Sequence, residues 1–169
     1  MRYLLDANTY IQAKNLYYDM EFCPAYWDWL DLQYTQGVIA SVGMIGRELK
    51  AGDDTLAQWV TTRAHHFVDD TDSATQAHYA SIVQKVALSG HYNPANRDQF
   101  LAKADPWLIA KAITIGATVV TQEGFVDLSS RKVKVPNICR EFNVPCINTY
   151  TLLREVQARF VLGASSSAP

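Results

Sequence analysis

The sequence predicts an α/β fold with a mainly parallel central sheet, and three observations carry that expectation. Short apolar runs rich in β-branched or large side chains recur at Tyr3–Leu5, Val38–Val42, Ala117–Thr121 and Val144–Asn148. Segments whose apolar residues repeat with helical spacing separate them, and strands alternating with helices argue for a parallel sheet covered on both faces. The 169 residues are 49% apolar and 19% charged, without repeats or a linker, which suits one domain with one substantial core.

Each element has its own justification. The stretch Arg2–Asn8 opens with the buried-strand run Tyr3-Leu4-Leu5 and is closed by Asp6. Thr9 to about Tyr18 follows as a helix. Pro24, well suited to a first helical position, starts a second helix running to Gln36 and stopped by Gly37. That helix carries Tyr26, Trp27, Trp29, Leu30 and Tyr34, an aromatic stripe that reads as core or interface packing. Val38–Val42 is a second strand, Gly43–Lys50 a short helix, and Ala51–Asp54 a turn. Thr55 to Arg63 is helical through Leu56, Trp59 and Val60, and Phe67–Asp69 is a short edge strand. Asp72 or Ser73 caps a long helix to Leu88, stopped by Gly90. His91–Gln99 reads as a polar connection. Asp105-Pro106 opens a helix carrying Leu108, Ile109, Ala112 and Ile113 and ended by Gly116. After Ala117–Thr121 come a loop over Gly124–Val135 and a helix from Pro136 to Phe142. A last strand spans Val144–Asn148, its Pro145 favouring a sheet edge, and Thr151 to Leu162 is a closing helix. One domain thus covers 1–162, and the small, serine-rich tail 163–169 is expected to be disordered.

Composition narrows the class of function. A net charge of −2 gives no global basic field, so a nucleic-acid partner needs a local patch or bound cations. Cys23, Cys139 and Cys146 are odd in number and form no CxxC pair, which argues against a disulfide framework or a structural zinc site. The apolar start is broken by Asp6, so a secretory signal is not expected, and no run approaches the ~20 apolar residues of a membrane helix. A soluble, cytoplasmic protein is the expectation.

Four carboxylates then draw together on topological grounds. Ligands in open parallel sheets gather outside the carboxyl ends of the strands, where Asp6 would point. Glu48 lies in the helix after the second strand, Glu123 two residues beyond Thr121, and Asp105 at a helix start. Each also has a plain structural role open to it: Asp6 or Asp105 as a helix cap, Glu48 as an exposed helix residue, Glu123 in a turn. Jointly they carry chemistry. Two carboxylates ~4 Å apart repel by about 4 kcal/mol at an effective dielectric of 20, which calls for a divalent cation. Oxygen ligands with no His or Cys expected nearby select Mg²⁺ or Mn²⁺, ions that activate water for attack on a phosphodiester.

The segments Tyr3-Leu4-Leu5-Asp6-Ala7-Asn8, Arg47-Glu48-Leu49, Ala104-Asp105-Pro106-Trp107-Leu108-Ile109-Ala110 and Val119-Val120-Thr121-Gln122-Glu123 resemble, in order and spacing, the motifs of the PIN-domain ribonucleases. That family includes many toxins of bacterial toxin–antitoxin pairs. Phe22-Cys23-Pro24 with Trp27-Asp28-Trp29-Leu30, and Lys134-Val135-Pro136-Asn137-Ile138-Cys139, look like a less characterised branch of it. The resemblance implies a three-layer α/β/α PIN-like fold and a Mg²⁺- or Mn²⁺-dependent endoribonuclease, with RNA as substrate and a protein antitoxin as partner. It makes Asp6, Glu48, Asp105 and Glu123 the catalytic and metal-binding set, supported by Asn8 and Thr121. Glu123 stands where the family usually has Asp, one methylene longer, and Asp127 is the alternative ligand. Related toxins are often dimers, for which the aromatic helix Pro24–Gln36 offers a surface.

The densest basic run, Arg131-Lys132-Val133-Lys134, lies in the loop after Glu123; Arg131, Lys132 and Lys134 are the RNA-binding candidates. Lys14 and Arg47 are further candidates to counter phosphate charge, whereas His65, His66 and His78 lack a ligand pattern. Two rival functions remain: a phosphatase with Asp6 as covalent nucleophile, disfavoured by Asn8 where that chemistry prefers a second Asp, and a catalytically silent nucleic-acid- or protein-binding module.

Overall fold

The computed structural model describes residues 1–161, so the expectation for the tail 163–169 lies outside the described residues. Five parallel strands form one sheet in the order β3-β2-β1-β4-β5. The strands are β1 (Tyr3–Leu5), β2 (Ile39–Val42), β3 (Phe67–Val68), β4 (Thr118–Val120) and β5 (Cys146–Ile147). Tyr3, Leu4 and Leu5 have no exposed surface, so β1 is buried on both faces, as a central parallel strand should be. The register places Tyr3 opposite Ile39 on one side and Thr118 on the other. The chain builds outward from β1 through β2 to β3, then returns to β1's other flank with β4 and β5. The order therefore reverses between β1 and β4, which is where open α/β sheets leave a crevice.

Helices pack around this sheet: α1 (Ala7–Gln12), α2 (Pro24–Thr35), α3 (Gly43–Lys50), α4 (Thr55–Thr61), α5 (Ser73–Ala87), α6 (Pro94–Leu101), α7 (Asp105–Ile115), α8 (Val135–Glu141) and α9 (Thr149–Glu155). Two glycines have identifiable work. Gly116, at φ 66, takes the left-handed position that ends α7 and turns the chain into β4. A Cβ on Gly46 would meet the Phe67 ring at 2.8 Å, so its absence lets α3 lie close on β3.

Several expectations need correction. The polar connection expected over His91–Gln99 is mostly helix α6. Asn93 accepts from the Ala95 amide at 2.9 Å, Pro94 fills a first-turn place that needs no N–H, and buried Phe100 anchors the far end. The first helix starts at Ala7, earlier than expected, and its second half, Ala13–Tyr17, widens into a π turn. The closing helix is α9, beginning two residues early because the Asn148 side chain accepts from the Thr151 amide, and stopping at Glu155 ahead of Gln157 at φ 53. The stripe on α2 goes inward: Tyr26, Trp27 and Leu30 are buried, Tyr26 stacks on Tyr18 at 4.3 Å, and Trp27 meets Trp59 edge-on. The core thus takes most of what was a candidate dimer surface. Among the described residues, no helix is long and apolar enough to cross a membrane.

Candidate active site

The crevice between β1 and β4 is organised by one hydroxyl. Thr121, directly after β4 and 1% exposed, donates to Asp6 Oδ2 at 2.7 Å. It accepts from Asn8 Nδ2 at 3.0 Å and from the Glu123 backbone N–H at 3.1 Å. Asn8 Oδ1 accepts in turn from the Gln122 N–H at 2.9 Å. The start of α1 is thereby clamped to the end of β4, and both supporting residues expected from the sequence lie in the clamp. Asp6 occupies the cap position of α1 but makes no side-chain cap bond; its carboxylate turns to Thr121 in the crevice instead.

Asp105 reaches the same crevice from the first turn of α7. It does not cap that helix; Ala104 holds the cap position. Among the described residues, no hydrogen bond to the Asp105 carboxylate is made. Burial, then the charges of Asp6 and Glu123, push its pKa up to about 8, with Lys103 pulling the other way. Asp6 is 3% exposed, and burial raises it to about 6 against the hydrogen bond from Thr121, with the charge of Glu123 adding to the rise. Both carboxyls are thus held above the usual carboxylate range, and the charge of Asp6 is one reason for the shift at Asp105.

Glu48 and Glu123 stand at the edge of this pair, each already engaged. Glu48, exposed, accepts from the Ala104 amide at 2.8 Å and so braces the start of α7. Glu123 accepts from Lys134 Nζ at 2.9 Å through one oxygen and from the Val135 amide at 2.9 Å through the other. Among the described residues, no three acidic, His or Cys side chains stand close enough to wrap one ion between them. Asp6 and Asp105 thus share the crevice with Glu48 and Glu123 beside them, each glutamate already holding a partner of its own. Two carboxylates still fit Mg²⁺ or Mn²⁺: Mg²⁺ commonly keeps several waters and takes one or two protein carboxylates. Burial first, and neighbouring negative charge after it, raises Asp6 and Asp105; a bound cation would favour their ionised forms.

The remaining candidates separate. Asp127 turns its carboxylate onto the amide and hydroxyl of Ser129, at 2.8 and 2.6 Å, and is spent within its own loop. Of the basic run, Arg131 and Lys132 are exposed while Lys134 is committed to Glu123. Lys14 is paired with Asp54 at 2.5 Å, and Arg47 lies 3.7 Å from the buried Asp70.

Other residues belong here that sequence reasoning missed. A cleft of about 100 Å³ opens beside Asp105 and Glu123, lined also by Gln99, Phe100, Lys103 and Lys134. Gln99 and Phe100 come from α6, which was read as loop; Lys103, two residues before Asp105, was the legible signal. Ser41, wholly buried, donates to the Leu5 carbonyl at 2.6 Å and ties the end of β2 to that of β1. Cys139, buried, and half-buried Cys146 lie near each other, and both feel the charge of Asp6. The neighbouring Cys146, then burial, raises the Cys139 thiol. A roomier depression of about 540 Å³ runs along α5 to Phe142, but Lys85 is its one charged lining residue, so it offers no acid–base set.

Comparison with known proteins agrees with this architecture. A family model described as "Domain of unknown function (DUF4411)" matches residues 3–160. Comparison with curated proteins gives no match. Among solved structures, the chain is similar to one in the crystal structure of VapBC2 from Rickettsia felis bound to a DNA fragment from their promoter. The TM-score is 0.53 at 18% identity, covering 88% of this chain and 98% of that one. The likeness is one of fold, and it agrees with the three-layer, PIN-like α/β arrangement expected from the sequence.

Proposed function

We propose that this chain, which belongs to the DUF4411 family, is a Mg²⁺- or Mn²⁺-dependent endoribonuclease and the toxin of a toxin–antitoxin pair. The observation that carries the reading is the placing of buried Asp6 and half-buried Asp105 at the β1/β4 crevice, two acids that no Lys or Arg pairs within salt-bridge distance among the described residues. A structural ion pair would bring its own cation into contact. When bound between them, the ion would activate water and offset charge on the phosphodiester.

The chain's own residues supply the rest. Thr121 fixes the orientation of Asp6, and Asn8 locks Thr121 and Gln122 in place. Glu48 sets Asp105 by holding the Ala104 amide just before it. Lys103, on the rim of the cleft, and exposed Arg131 and Lys132 are available to RNA phosphates. Asn8 also weakens the phosphatase alternative, because its amide is consumed in the clamp and offers no acid beside Asp6. A protein antitoxin as partner is supported by the similar Rickettsia felis structure, which is of VapBC2 on promoter DNA.

The test is cleavage of RNA by purified protein with Mg²⁺ or Mn²⁺ titrated, with a phosphomonoester as control. Asp6→Asn and Asp105→Asn should each lower cleavage by at least about a hundredfold while the fold persists, since several kcal/mol of charge stabilisation would be lost. Wild-type activity in either variant would remove that residue from the mechanism, and turnover of the monoester alone would favour the phosphatase.

A further inference from the structure

The contact between Lys134 and Glu123 has more to it than loop closure. Lys134 is held from both sides: Val133 and Val135 are buried in the core on either side of it, 8% and 0% exposed. The base of the preceding loop is stapled by Asn137, whose amide both accepts from the Val126 N–H at 3.1 Å and donates to the Val126 carbonyl at 2.9 Å. With its backbone fixed in this way, the ammonium rests on Glu123 Oε1 at 2.9 Å, while Oε2 is taken by the Val135 amide. Glu123 in turn bonds through its own N–H to the hydroxyl that holds Asp6. A cation is therefore built in at the side of the acidic group facing Glu123.

We propose that Lys134 fills the place a second divalent ion would take, so that the site holds one such ion, on Asp6 and Asp105, while Glu123 orients Lys134 instead of ligating. This rests on the cation-dependent reading above and adds a stoichiometry to it. Two-ion sites bring cations within ~4 Å of each other. Here an ion on Glu123 would have to displace the ammonium and strip the acceptor from the Val135 amide. Lys134 is thus a positioning residue: removing its charge should change how many ions bind, whereas a purely structural lysine would change only stability.

Mn²⁺ titration followed by electron paramagnetic resonance counts bound ions without any turnover. The wild type should bind one Mn²⁺ per chain, and Lys134→Arg, which keeps the charge, should also bind one. Lys134→Met, which keeps the apolar stem, should bind two, and the double variant Lys134→Met/Glu123→Gln should return to one. Two ions on the wild type would overturn the proposal without recourse to any variant. So would a single ion on Lys134→Met with native far-ultraviolet circular dichroism. No binding to any of these proteins would instead overturn the cation-dependent function itself, and this proposal with it.

Discussion

Two groups of charged side chains in this molecule treat a carboxylate in opposite ways. Around Asp31, on α2, both oxygens are neutralised: Arg63 Nε donates at 2.8 and 3.0 Å and its Nη2 at 2.9 Å. His66 Nε2 lies 3.0 Å away as a second basic group, though not aligned as a hydrogen bond. Its ring is stacked on Tyr34 at 4.4 Å, and burial lowers its pKa to about 4, so it stays neutral and serves packing. At the β1/β4 crevice the reverse holds. Asp6 receives one side-chain donor, Thr121, and Asp105 is flanked by the negative charges of Asp6 and Glu123. The first arrangement spends its charge on the fold. The second keeps charge in hand, at some cost to stability, as sites with chemistry to perform do.

The sharpest way to break this contrast is to remove one carboxylate from each group and melt the metal-free proteins at neutral pH. Asp31→Asn takes the negative charge from under Arg63. Because Asp31 is about one-third exposed, the loss is about 1 kcal/mol, a fall of about 2–4 °C in melting temperature. Asp105→Asn should have the opposite sign, raising the melting temperature by about 2–6 °C, since at neutral pH the unfolded chain gains by releasing a proton that native Asp105 keeps, and an isostere that cannot ionise removes that gain. Equal falls in both variants would mean that Asp105 is structural.

A smaller effect sharpens the same point through pH. The unfolded chain ionises its aspartates near 4, whereas the native chain holds protons on Asp6 to about 6 and on Asp105 to about 8. Between those limits the native state binds more protons than the unfolded state, so raising the pH favours unfolding. Metal-free stability due to this pair is complete below about pH 4 and declines toward pH 8. Asp105→Asn should flatten the upper part of that decline. Denaturant midpoints measured from pH 4 to 8 provide the check, and a rise across that interval would contradict the assignment.

What the sequence made legible follows from which forces are local. β1, β2 and β4 announce themselves as short runs of large or β-branched, mostly apolar side chains, and the strand-end position of Asp6 follows from the end of such a run. The first turn of α7 is marked by Asp105-Pro106. Helix α6 was hidden because Phe100 is its one buried residue, so its polar positions mask the period. The partners of Glu48 and Glu123 were hidden for a different reason. Ala104 lies 56 residues from Glu48, and Lys134 lies 11 from Glu123 across an irregular loop, where no spacing rule operates. A sequence can place a carboxylate at the mouth of a sheet; whether another group has already claimed it is a tertiary fact.

The central claim is that Asp6 and Asp105 are gathered for a cation, and a set of melts with and without ions tests it most directly. An ion that binds the native pair and not the unfolded chain stabilises the fold by about 2.7 kcal/mol at a hundredfold excess over its dissociation constant. The wild type should therefore melt about 5–10 °C higher with such an excess of Mg²⁺ or Mn²⁺ than with chelator, and Asp6→Asn should lose most of that gain. A wild type whose melting temperature ignores both ions, and is lowered by Asp6→Asn in chelator, would contradict the account.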